Sequence, residues 1–225
     1  MPGAVLWTRR QSGGADTHVR VLPDACMDLM WVGGRLLVAG PDTTAHVTPV
    51  RAGEVYEAVR FPPGAAPSVL GVPAGELRDL RVPLADLWPQ RRARELAERV
   101  GESADRTAAL EAVAASALYG GIARDRVPEA VLAGVRRGLA VADLARELAL
   151  SERHLRRRCL DTFGYGPKTL ARILRLGHAL CRARAGLSFA QVAHRTGYAD
   201  QSHLAREIRA LTGLPLGPLL AEENR

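Results

Sequence analysis

The strongest constraint on this chain is a near-repeat inside its last third. The stretch Val141–Gly164, VADLARELALSERHLRRRCLDTFG, returns as Ser188–Gly213, SFAQVAHRTGYADQSHLAREIRALTG. Leu144-Ala145 corresponds to Val192-Ala193, 48 residues later, whereas Leu155 corresponds to Leu204, 49 residues later. The second copy therefore has one extra residue in its turn. Leu155, Cys159 and Phe163 stand at i, i+4 and i+8, and Leu204, Ile208 and Leu211 form the matching apolar stripe. Such a repeat reads as two helix–turn–helix units of one design.

Each position in the unit has a physical task. Ala145 and Ala193 are small where two helices must cross closely, and Leu150 and Tyr198 fall where a side chain can plug the angle. Ser151 and Asp200 are good N-caps for the second helix of each pair. With the stripe turned inward, the 100° step per residue puts Arg153 and Arg157 about 160° and 200° from Leu155. Ser202 and Arg206 hold the same angles relative to Leu204. One such face alone would read as an ordinary solvated surface. Its recurrence at matched angles points to major-groove readout, which needs polar and guanidinium groups near a helix start.

The charge distribution agrees. Residues 133–225 hold 16 Arg and Lys against 8 Asp and Glu, a net of +8, and residues 1–132 hold 15 against 16, a net of −1, which together give the chain's +7. Positive charge gathered in one part marks a polyanion partner better than total charge does. Only Lys168 among the 31 basic residues is a lysine, a bias that reads as a GC-rich genome, so arginine richness alone is no sign of phosphate binding.

Ala130–Gly138, Val141–Leu148, Ser151–Phe163, Leu170–Arg184, Phe189–Thr196, Gln201–Leu211 and a short final turn read as helices, a compact all-α domain over 130–225. From Val131 to Leu220 this region resembles the DNA-binding domain of the AraC/XylS family of bacterial regulators. The resemblance rests on LARELALSERHLRRR, FGYGPKTLARILRLGHAL and VAHRTGYADQSHLAREIRALTGLPLGPL. It implies two helix-turn-helix subdomains joined by a long helix, about Pro167–Arg184, with recognition helices in successive major grooves. By that resemblance Arg153, Arg156 and Arg157 read bases from the first helix, and Gln201, Ser202 and Arg206 from the second. It implies double-stranded promoter or operator DNA as partner, and admits a small-molecule effector, RNA polymerase and a second copy of the chain. Two departures are Ile208, where the family usually has an aromatic residue, and the GLPLGPLL ending, where a Tyr-Arg pair is common.

Residues 1–82 read as short strands broken by turns: Val19–Leu22, Met27–Val32, Arg35–Ala39 and Val55–Phe61, with Gly33-Gly34 as a hairpin signal. A small β barrel or sandwich fits, so the fold class is α+β. VLPDACMDLMW, LLVAGPDT and the stretch from Phe61 to Trp88 resemble the short β domain that precedes this module in some actinobacterial-type regulators, a reduced cupin-like sensor domain. Asp24, Asp28, Trp31, His46, Tyr56 and Arg60 are its effector-binding candidates. Residues 83–129 read as a helical connector, Arg91–Val100 and Ala104–Tyr119 closed by Gly120-Gly121, open either to a dimer contact or to packing on its own domain.

Other chemistries find little support. With 47% hydrophobic residues the chain can bury cores and lacks the signature of disorder. No apolar run approaches the roughly 18 residues of a membrane span, and the start MPGAVLWTRRQSGG lacks a signal-peptide pattern, so a cytoplasmic location is expected. Cys26, Cys159 and Cys181 form no CxxC pair, and His46 has no companion ligand at useful spacing, so no metal or other cofactor is expected. Some family relatives move alkyl groups from DNA onto a zinc-bound cysteine. Cys26 alone cannot supply that ligand set, and the chain reads as a non-enzyme.

Overall fold

The computed structural model describes residues 3–11, 17–118 and 126–223. Seven strands form in the first part: β1 (Val5–Arg10), β2 (Thr17–Val21), β3 (Met27–Val32), β4 (Arg35–Ala39), β5 (His46–Val50), β6 (Val55–Phe61) and β7 (Arg81–Pro83). Five make an antiparallel sheet in the order β1-β6-β3-β4-β7, and β2 and β5 make a separate two-stranded ribbon. Gly33 and Gly34, at φ +56° and +79°, turn β3 into β4 as a two-residue hairpin with both central residues left-handed.

The strands do not close into a barrel or pair as a sandwich, because helices cover the sheet. After α1 (Ala66–Leu70), a 3₁₀ turn (Ala74–Leu77) and α2 (Leu84–Leu87) come α3 (Gln90–Glu102) and α4 (Arg106–Leu118). Leu96 and Val100 of α3 and Leu110 and Val113 of α4 share one core with Leu29, Val38, Val59 and Phe61 of the sheet. The helices between the two ends of the chain thus pack on the sheet. Tyr119, Gly120 and Gly121 lie outside the described residues.

The second part holds α5 (Val127–Arg136), α6 (Val141–Glu147), α7 (Glu152–Phe163), α8 (Pro167–Arg184), α9 (Phe189–Arg195), α10 (Gln201–Thr212) and α11 (Leu216–Glu223). The architecture is therefore α+β, a small antiparallel domain followed by a helical region. The helical region has two cores, and one helix enters both. Leu170 and Ile173 of α8 join Val131, Leu144, Leu155 and Phe163 in the first. Leu176 and Leu180, one and two turns later, join Val192, Leu204, Ile208 and Leu219 in the second. Gly166 and Pro167 open α8, with Pro at the first helical position, where its missing N–H costs nothing.

Candidate nucleic-acid interface

The two units share the same backbone hydrogen bond where their turns begin. The Leu150 N–H donates to Ala145 O at 2.9 Å, and the Tyr198 N–H donates to Ala193 O at 3.0 Å. Ala145 and Ala193 are buried where α6 meets α7 and α9 meets α10. Ser151 and Asp200 cap the next helix, accepting from the backbone N–H groups of His154 and His203. Leu155, Cys159, Phe163, Leu204, Ile208 and Leu211 are all buried. Left-handed glycines, Gly164 and Gly213, end both helices.

With those stripes buried, the opposite faces are fixed. Arg153, Arg156 and Arg157 on α7 and Gln201, Ser202 and Arg206 on α10 are all exposed. Among the described residues none of these six side chains takes an ion pair or a side-chain hydrogen bond. Their neighbours are more committed. Arg172 of α8 holds Glu207 of α10 through two bonds, Nε to Oε2 at 2.7 Å and Nη2 to Oε1 at 3.2 Å. The Arg175 guanidinium lies 5.4 Å from the centre of the Tyr198 ring, whose edge contact with His203 is also 5.4 Å. Both arginines thus fix α8 against the second unit. Burial pushes the Tyr198 hydroxyl up to about 12. Beside the start of α7, a groove of about 510 Å³ between α5, α6 and α8 carries Lys168, Arg172 and Arg175 against Glu152.

Comparison with known proteins agrees with this geometry. The model of a helix-turn-helix domain matches residues 144–221. The C-terminal domain belongs to the AraC-type helix-turn-helix family. The AraC-type module is a DNA-binding unit of transcription regulators. Residues 4–83 match a second model, described as a domain of unknown function (DUF6597). Two crystal structures of ToxT from Vibrio cholerae resemble nearly the whole chain in fold. One, from strain O395, is 11% identical with a TM-score of 0.51 over 98% of each chain. The same protein bound to (E)-4-(8-methylnaphthalen-1-yl)but-3-enoic acid is 12% identical, with a TM-score of 0.51 over 96% of this chain and 98% of that one. At such identities the likeness is one of fold. No curated protein matches the sequence.

Ahead of the AraC-type domain, the six effector candidates divide. Asp24, Asp28 and Arg60 meet. Arg60 holds Asp28 through Nε–Oδ1 and Nη2–Oδ2 bonds of 2.9 Å each, and its Nη1 pairs with Asp24 Oδ2 at 2.9 Å. Trp7 Nε1 donates to Asp28 Oδ1 at 3.0 Å. Partial burial raises the Asp24 carboxyl against the pull of Arg60, and hydrogen bonding to Asp28 raises the Arg60 guanidinium. The other three stand apart. Trp31 packs under Gly101 of α3, and His46 pairs with Val21 in the ribbon. The Tyr56 hydroxyl donates to Glu54 at 3.0 Å and is pushed up to about 12 by burial and that carboxylate.

Burial and the neighbouring Asp24 push the Cys26 thiol up to about 12, which makes it a poor nucleophile at neutral pH. Among the described residues no group of three or more His, Cys, Asp or Glu is placed to hold a metal. No helix there is long and apolar enough to cross a membrane. The helix-turn-helix family points to a transcription regulator. Sequence reasoning missed Glu207, Trp7 and Arg20. Each is an ordinary polar or aromatic residue whose partner is distant in the chain, and no local pattern marks it.

Proposed function

We propose that the chain is a sequence-specific transcription regulator that reads an asymmetric promoter or operator site with two unlike helices. Arg153, Arg156 and Arg157 contact bases from α7, and Gln201, Ser202 and Arg206 from α10. The supporting observation is that two units of one design each present an exposed, unengaged polar face at the start of their second helix. Arginine forks suit guanine O6 and N7, and a glutamine amide suits adenine N6 and N7. The net +8 of residues 133–225 supplies sequence-independent attraction to phosphate. Work on the chromosome puts the protein in the cytoplasm, where RNA polymerase and a second copy of the chain are its natural further partners.

Effector control acts through Asp24, Asp28 and Arg60, because an acidic ligand there competes with two carboxylates for one guanidinium. Gel shifts with the full chain test the reading of DNA. Specific binding should exceed nonspecific binding by about 10³ or more. Equal affinity for every duplex would make the protein an architectural binder instead.

A further inference from the structure

Both recognition helices end against the N-terminal domain. The last carbonyls of a helix have no partner within it. At the end of α10 the N-terminal domain supplies two donors: the N–H of Ala45, just before β5, to Leu211 O at 2.7 Å, and Arg20 Nη1 of β2 to Thr212 O at 2.8 Å. Arg20 Nε also holds Glu222 of α11 at 3.2 Å. At the end of α7, Arg78 Nη1 donates to Gly164 O at 3.4 Å. Pro41 lies so close over Gly164 that a Cβ there would overlap it. A guanidinium thus faces the negative end of each helix dipole.

One short segment runs between the two ends. Leu22, leaving the ribbon, packs on the second unit's core. Three residues later Ala25, 3% exposed, is part of the first unit's core. Ala25 takes φ +67°, a left-handed conformation that a side chain disfavours. Its neighbours hold it there: Asp24 Oδ1 accepts the Cys26 N–H at 2.9 Å, and Asp24 Oδ2 is paired with Arg60 of the sheet. The sheet grips the segment, and the segment grips both units.

We infer that Arg20–Ala25 is a strap that sets the distance and angle between the two recognition helices. Arg20, Leu22 and Ala25 are then positioning residues for DNA binding, an inference that rests on both units engaging DNA. The helix α8 joins the units along one line, and the strap attaches them at a second place away from it. Two attachments fix a relative rotation that one leaves soft. The N-terminal domain therefore selects which half-site spacing the AraC-type domain accepts. The Asp24–Arg60–Asp28 network anchors that selection.

The test begins without DNA. In the full chain with Cys181→Ser, spin labels at Asp161→Cys and Ala210→Cys, both exposed positions, report the separation of α7 and α10. The strap predicts one narrow distance in this parent and a clearly broader distribution when Arg20→Ala and Leu22→Ser are added, at unchanged helical circular dichroism. Equal widths overturn it. Should the double variant fail to fold, Arg20→Gln alone keeps the stem and removes the fork, and a width equal to the parent's overturns the strap as well. On DNA, moving the half-sites by about one or two base pairs should weaken the parent on the order of tenfold, and the strap variant by less than about threefold. A parent that binds no duplex specifically refutes the DNA-binding reading, while the label distances still decide the strap.

Discussion

In the first unit the turn passes through Ala149 at φ +53°, and in the second through Gly197 at φ +76°. Both turns place the next N–H on the matching alanine carbonyl, so the chain reaches that residue in the same number of steps while the conformational cost differs. Other matched positions differ as freely. Ser188 and Gln191 form a reciprocal capping box before α9, but Ala140 offers no side-chain cap before α6. Cys159 and Ile208 fill the same fully buried position. Leu150 plugs the first turn as an aliphatic chain, and Tyr198 plugs the second between Arg175 and His203. What the units share is a backbone hydrogen bond, a left-handed residue and a small alanine in the turn, and a capped, leucine-anchored second helix closed by glycine. The exposed faces at the start of the second helices differ most: three arginines on α7 against glutamine, serine and one arginine on α10.

The largest expected effect follows from needing both units at once. Inserting about five base pairs between the half-sites turns one groove to the far side and should cost on the order of 100-fold in affinity by gel shift. Binding as tight as to the parent site would mean that one unit does the work. Next, Arg206→Ala should cost about 1–3 kcal/mol at the specific site and relax base preference in one half-site only, with Arg157→Ala doing the same in the other. Equal losses of specific and nonspecific affinity would assign these residues to phosphate.

Smaller effects probe the turns. Gly197→Ala adds a Cβ that meets nothing within 4 Å, so its cost is the left-handed conformation alone. Denaturant melts should show about 1–2 kcal/mol lost. Ala149→Gly removes that strain and should gain about 0.5 kcal/mol net of unfolded-state entropy. A loss on Ala149→Gly would show that the two turns are not equivalent.

The smallest effect concerns the matched core position. Burial raises the Cys159 thiol from 9 to about 12. The folded state therefore favours the protonated form, and stability should fall as pH rises above about 9, where the unfolded thiol ionises. Iodoacetamide at pH 8 should alkylate exposed Cys181 and leave Cys159 untouched until the chain unfolds. Prompt reaction at Cys159 would mean that the first core is looser than the second.

The units were readable in the sequence because each task inside them is local. A cap lies three residues from its N–H, a stripe repeats every three or four residues, and the second copy confirms the first. The N-terminal domain was less readable for the opposite reason. β3, β4 and β6 are apolar runs that announce themselves, whereas β1 is mostly exposed, β5 contains Pro49, and β7 has only three residues. Those three are strands because of what they pair with. Asp24, Asp28 and Arg60 could be named as polar groups beside strands, but Trp7, which joins them, lies on the unread β1. Arg20 is the extreme case, since the carbonyl it caps is 192 residues away.

Selection of binding sites from random duplexes would show whether a single protomer reads DNA with two unlike helices. The expected outcome is one bipartite, asymmetric motif whose halves lie about one helical turn apart. Arg206→Ala should degrade one half and leave the other intact. A single short motif, or a symmetric one that Arg206→Ala leaves unchanged, would contradict readout by two unlike helices.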